Sequence, residues 1–134
     1  MYESKFVKIT SMLLLGFSAL AIMMVAFMAF GNPQSVMDLV QVKLPNTDAY
    51  SSIRGVYGGV GVTIGVTLIY LLLKDRRKGL CFAALLWGGY AVSRSFTIVL
   101  EGALGAFGTQ WLIIESILFV LSILLLLTGY RSRK

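Results

Sequence analysis

This sequence predicts a bundle of four α-helices that cross a lipid bilayer. Three observations lead there: charge is scarce, four runs of about twenty residues are almost free of it, and most basic residues gather in alternate connections. Of the 134 residues, 57% are hydrophobic and 13% are charged, and the mean hydropathy is +0.84. A soluble domain carries about 25% charged residues. A soluble core of this length has no room for so much apolar side chain, whereas lipid solvates it.

The first span is the uncharged run Ile9 to Phe30. Lys5 and Lys8 precede it, as basic residues precede the apolar core of a signal peptide. Such a core is about 7–15 residues long and ends in a small-residue cleavage site. This run is longer and ends in no such site, so a retained span is expected. The connection Gly31 to Ser52 follows. Its Pro33 suits the start of a short helix, with Val36, Met37, Leu39 and Val40 as an apolar face lying along the membrane surface. Alternation at Val40, Val42 and Leu44 also permits a short strand, and periodicity does not separate the two over so few residues.

The second span, Gly55 to Leu73, is again uncharged. The third, Leu80 to Leu100, carries only Arg94, and the fourth, Gln110 to Tyr130, only Glu115. The hairpin Lys74 to Gly79 makes the second and third spans antiparallel neighbours, and the Gly-rich turn Gly102 to Gly108 does the same for the third and fourth. All four runs are continuous, unlike the period-two alternation of a membrane β-barrel. A single four-span domain over residues 1–134 is therefore expected.

Orientation follows from the basic residues near the span ends. Lys5, Lys8, Lys74, Arg76, Arg77, Lys78, Arg131, Arg133 and Lys134 all fall on one side, nine of the twelve Lys and Arg. The other side has Lys43 and Arg54, while Arg94 is inside a span. This pattern predicts a multi-pass protein of the bacterial inner membrane with both termini cytoplasmic. The net charge of +6 thus speaks of topology and not of nucleic acid. Trp111, Tyr50 and Tyr130 are the expected aromatic anchors at the interfaces.

The single cysteine, Cys81, and the absence of histidine exclude a disulfide framework and remove the commonest general base and metal ligand. The methionines have no Cys or His ladder beside them, and neither a P-loop nor a dinucleotide fingerprint occurs. No cofactor, no metal and no enzymatic activity are expected. A catalytic role for Glu101 or Glu115 as acid or base would lack a nucleophile motif.

Ionisable groups inside a span are costly and normally face the protein interior with a partner. Arg94 lies roughly 9 Å below the outer end of the third span and Glu115 roughly 8 Å below that of the fourth, at about 1.5 Å per residue. Equal depth on antiparallel neighbours predicts an Arg94–Glu115 ion pair. Glu101 follows Arg94 by two helical turns on one face. Arg54 enters at the same rim from the second span, with Tyr57 one turn inside it. Ser93 and Thr97 are available for further hydrogen bonds. Arg54, Tyr57, Arg94, Glu101 and Glu115 are therefore expected to line an outer-half polar pocket. The plainer reading is that the pair only fixes how two helices dock and that Arg54 and Glu101 reach headgroup water.

Gly55/Gly59 and Gly61/Gly65 each give a G-x-x-x-G spacing, which allows helix backbones to approach closely. Packing within the chain and homo-oligomerisation both fit, with Gly88 and Gly89 as a complementary surface.

The stretch Arg54-Gly-Val-Tyr57-Gly58-Gly59 resembles the R-x-x-Y-G-G at the start of the second span in a bacterial four-helix membrane family, domain of unknown function 4345. That family's pattern continues with an Arg late in the third span, an acidic-Gly pair and a Glu in the fourth span. Arg94, Glu101-Gly102 and Glu115 stand at the matching places. Ser93 replaces the expected Gly, and Glu101 stands where Asp is frequent. The resemblance implies the four-span fold and a shared polar cluster, and carries no activity.

Two functions follow. In the leading one, the outer pocket binds a ligand, lipid headgroup or ion, in a transport role if the chain forms an oligomer. In the alternative, the chain is an accessory or scaffold subunit whose charges lock the fold while the glycine faces dock a partner membrane protein. Membrane lipids are partners in either case. Small multidrug transporters also have four spans, but they use a carboxylate in the first, and this first span has none.

Overall fold

A computed structural model describes residues 4–129, and these are helical nearly throughout. The order is α1 (Lys5–Gly31), α2 (Pro33–Asp38), α3 (Thr47–Ile53), a π-helical stretch (Arg54–Gly59), α4 (Val60–Lys74), α5 (Arg76–Glu101) and α6 (Ala106–Gly129). Four helices are long and apolar enough to cross a membrane: Lys5–Gly31, Thr47–Lys74, Arg76–Glu101 and Ala106–Gly129. The shortest, at 24 residues, reaches about 36 Å at 1.5 Å per residue, against a hydrocarbon core of about 30 Å. Tyr130, Arg131, Arg133 and Lys134, assigned above to an interface and a basic cluster, lie outside the described residues.

The helices run further than the apolar runs that betray them. Gly31 closes α1, and Gly108 belongs to α6. The hairpin between the second and third spans narrows to the single non-helical residue Asp75. Asp75 permits this by capping α5: its carboxylate accepts the Lys78 backbone N–H at 3.1 Å, with the Lys78 ammonium 3.1 Å from its other oxygen. The backbone hydrogen bond, then the side-chain one, holds the Asp75 carboxyl below its ordinary value. The cap matters because Arg76, Arg77 and Lys78 occupy the first turn of α5, where cations oppose the helix dipole.

The chain forms two compact units, residues 16–70 and residues 1–15 with 71–134. In the second of these, Arg94 meets Glu115, and a side chain at Gly88 would meet the Phe119 ring at 2.9 Å. As α5 advances α6 therefore returns, so the two are antiparallel. Leu80, Ala83, Ala84 and Trp87 of α5 are buried, as are Leu118 and Leu125 of α6 and Val7, Leu14 and Leu15 of α1. Gly102 ends α5 at φ 102° and ψ −169°, a conformation essentially restricted to glycine.

In the other unit, α1 and α4 approach closely at glycine. A Cβ at Gly61 would lie 2.9 Å from that of Ala26, and one at Gly65 would meet the Met23 side chain. A Cβ at Gly55 or at Gly59 would meet nothing within 4 Å. The two G-x-x-x-G spacings thus separate: Gly61/Gly65 packs within the chain and Gly55/Gly59 stays open.

The connection after α1 contains the short helix α2 and, among the described residues, no strand. Val36 and Met37 of α2 are buried with Ala29, while Leu39 and Val40 are exposed. The expected four-residue apolar face is therefore halved, because α2 ends at Asp38 and the chain turns back. Gln34 holds that turn: its amide donates to Val42 O at 2.8 Å and to Asp38 Oδ1 at 2.7 Å, and its Oε1 accepts Leu44 N–H at 2.9 Å. A side-chain amide here does what a strand partner would have done for the backbone.

Candidate functional site

Asn46 opens α3 by accepting the Ala49 N–H at 2.9 Å, a side-chain cap that satisfies one orphan donor. The helix then passes without a break into the π-helical stretch Arg54–Gly59, where the Val60 N–H donates to Gly55 O, five residues back. A π turn takes one residue more than an α turn and is found mostly as a single turn, frequently at functional sites. Here it coincides with the Arg-x-x-Tyr-Gly-Gly motif.

Beside this turn is an open groove of about 320 Å³, lined by Phe30, Thr47, Tyr50, Ser51, Arg54, Gly55 and Gly59. Positions 47, 50, 51, 54 and 55 recur at the spacing of one helical face. Arg54 is half-buried, and its Nε donates to Phe30 O at 3.2 Å. Phe30 lies in the last turn of α1, whose carbonyls lack intrahelical donors. This bond pins the guanidinium by its inner nitrogen. Its two terminal nitrogens have no protein partner among the described residues, and no carboxylate lines the groove.

The second polar centre joins α5 and α6. Arg94 Nε lies 2.7 Å from Glu115 Oε2, and Nη2 lies 3.0 Å from Oε1. This bidentate geometry is the strong form of a charged hydrogen bond. Glu115 is 2% exposed and Arg94 24%. Both carboxylate oxygens are satisfied inside the protein, and the expected pair forms.

The remaining expected residues fall out differently. Tyr57 is 37% exposed and does not line the groove. It follows Arg54 by three residues, but within a wider turn those three residues cover less of the circumference, so the two do not share a face. Glu101 is exposed at the end of α5 and has no ion pair among the described residues. Ser93 and Thr97 donate to carbonyls of their own helix, Tyr90 O at 2.9 Å and Ser93 O at 3.2 Å. Arg54 and Tyr57 belong to one compact unit, and Arg94, Glu101 and Glu115 to the other. Thr47, Tyr50, Ser51 and Phe30 line the groove without standing among the expected residues, although 47, 50, 51 and 54 recur at helical spacing in the sequence. Among the described residues, no group of His, Cys, Asp or Glu is placed to hold a metal ion.

Four helices long and apolar enough to cross a bilayer fit a multi-pass membrane protein. The chain belongs to the family described as domain of unknown function (DUF4345), whose model matches residues 11–126. No curated protein and no solved structure matches the chain.

Proposed function

We propose that this is a ligand-binding membrane protein without catalytic activity, and that its site is the groove beside Arg54. The observation that carries this reading is the guanidinium held at Nε by Phe30 O, its terminal nitrogens without a partner among the described residues, in a groove also lined by Thr47, Tyr50 and Ser51. A charge at a span boundary without an internal counterion calls for one from outside. The Arg94–Glu115 pair takes the opposite role: with its oxygens already satisfied, it holds α5 against α6. An Arg54→Gln variant should lose any small molecule or lipid that co-purifies with the wild type, as seen by native mass spectrometry. Equal retention by the two proteins would sink the proposal.

The protein is further proposed to reside in a bacterial inner membrane with both termini in the cytoplasm and the groove on the outer side. The support is the distribution of Lys and Arg. A cysteine introduced at Asn46 should react with an impermeant maleimide added to intact cells, and one at Arg77 only after lysis. The reverse labelling pattern would invert the orientation.

A further inference from the structure

We infer that the Arg54 groove is built for an anionic phospholipid, with the lipid phosphate on the guanidinium and an acyl chain along the glycine floor. This rests on the reading of the groove as a ligand site and commits it to one chemical class. The sign of the charge comes first. Among the described residues of this unit, Arg54 is a half-buried cation with no ion pair, in a groove lined by no acid. The ligand is therefore an anion. A guanidinium pinned at Nε offers its remaining N–H groups to two oxygens at once, the arrangement that suits phosphate.

Depth comes second. Arg54 directly precedes the uncharged run Gly55 to Leu73. That run is about 28 Å long at 1.5 Å per residue, against a hydrocarbon core of about 30 Å. Arg54 is thereby set at the hydrocarbon edge, the level at which lipid phosphates begin. A water-soluble anion would be served as well by an arginine anywhere on the outer loops.

The polarity gradient of the lining comes third. On the loop side of Arg54 the groove presents the hydroxyl residues Thr47, Tyr50 and Ser51, which can bond a headgroup. On the other side it presents Gly55, Gly59 and Phe30, whose ring lies against Gly58, with Gly59 about one helical turn deeper than Arg54. A Cβ built at Gly55 or at Gly59 would meet nothing within 4 Å, so the open Gly55/Gly59 spacing leaves room for a chain of methylenes. Headgroup, phosphate and tail thus meet hydroxyls, guanidinium and bare backbone in the order in which a lipid carries them.

The test uses the full chain in phosphatidylcholine nanodiscs doped with phosphatidylglycerol, released for native mass spectrometry. The wild type should retain one phosphatidylglycerol in preference to phosphatidylcholine. Arg54→Gln should lower that retention about tenfold or more, the worth of a charge-assisted hydrogen bond. Gly59→Leu leaves Arg54 in place, and its Cβ has nothing within 4 Å, so it should fold normally and still lose the lipid by filling the floor. Equal retention of phosphatidylglycerol by all three proteins would mean adventitious annular lipid and overturn the inference. Lipid retained by Gly59→Leu but displaced by inorganic phosphate would mark a free-anion site: the lipid assignment falls and the groove remains a ligand site. A different molecule that is lost with Arg54→Gln would have the same consequence.

Discussion

Arg94→Leu should destabilise the protein by about 3–5 kcal/mol, the range seen when one partner of a buried ion pair is removed. Glu115 is 2% exposed, and its two oxygens are held by Arg94. Without the guanidinium, a carboxylate stays behind where neither water nor another side chain has replaced it. Glu115→Leu should be milder, since Arg94 is 24% exposed and its long stem allows the charge to move outward. The double variant Arg94→Leu/Glu115→Leu should recover more than half of the larger single loss, because packed apolar side chains often replace a buried pair without penalty. Charge reversal, Arg94→Glu with Glu115→Arg, should recover less. The larger side chain would then occupy the site that is fully enclosed. Reversible unfolding of all five proteins in one lipid–detergent mixture measures this. A double leucine variant no more stable than Arg94→Leu would mean that the pair does more than join two helices.

The pair could be read from sequence because it needs only two quantities, depth along a helix and the antiparallel order of neighbours. The four spans could be read for a similar reason: hydropathy adds up over some twenty residues, and local error cancels. What escaped has no such additive signal. Thr47, Asp48, Tyr50, Ser51 and Ser52 are polar, so the helix that contains them vanished into the connection. Asn46, a good cap residue three positions before Ala49, was the local sign of its start. The choice between helix and strand after Pro33 was settled by Gln34, whose side chain binds residues eight and ten positions away. The π turn left no mark at all, since glycine and valine fit it and an α-helix equally. An α-helical spacing therefore puts Tyr57 on the face of Arg54, and the π turn takes it off.

Gly61→Leu should cause the second large loss, at or above the 1–3 kcal/mol typical of overpacking. A Cβ at Gly61 would stand 2.9 Å from the Ala26 Cβ. Alanine has no further rotamer with which to yield, so the α1 and α4 backbones must separate, and close backbone contact is what holds helices together in lipid. Gly65→Leu should be less severe, because its neighbour is the flexible Met23 side chain. Gly55→Leu is the control, with nothing within 4 Å. Thermal unfolding should rank the variants with Gly61→Leu lowest and Gly55→Leu near the wild type. A Gly61→Leu protein as stable as the control would remove the close α1–α4 contact from the account of the fold.

The π turn at Arg54–Gly59 also sets an angular phase. Each residue of an α-helix advances about 100° around the axis. One residue absorbed into a wider turn therefore offsets everything before it against everything after it. The phase of α4 is set by Gly61 and Gly65 against α1, and the offset then turns Thr47, Tyr50 and Ser51 toward Phe30. Were the stretch regular α-helix, the same anchoring would leave those three hydroxyls rotated by roughly a quarter of a circle or more. The helix behaves as two shafts joined by a coupling. Its inner length is indexed to a neighbouring backbone, and the coupling carries that index, with a fixed offset, to the residues that line the groove.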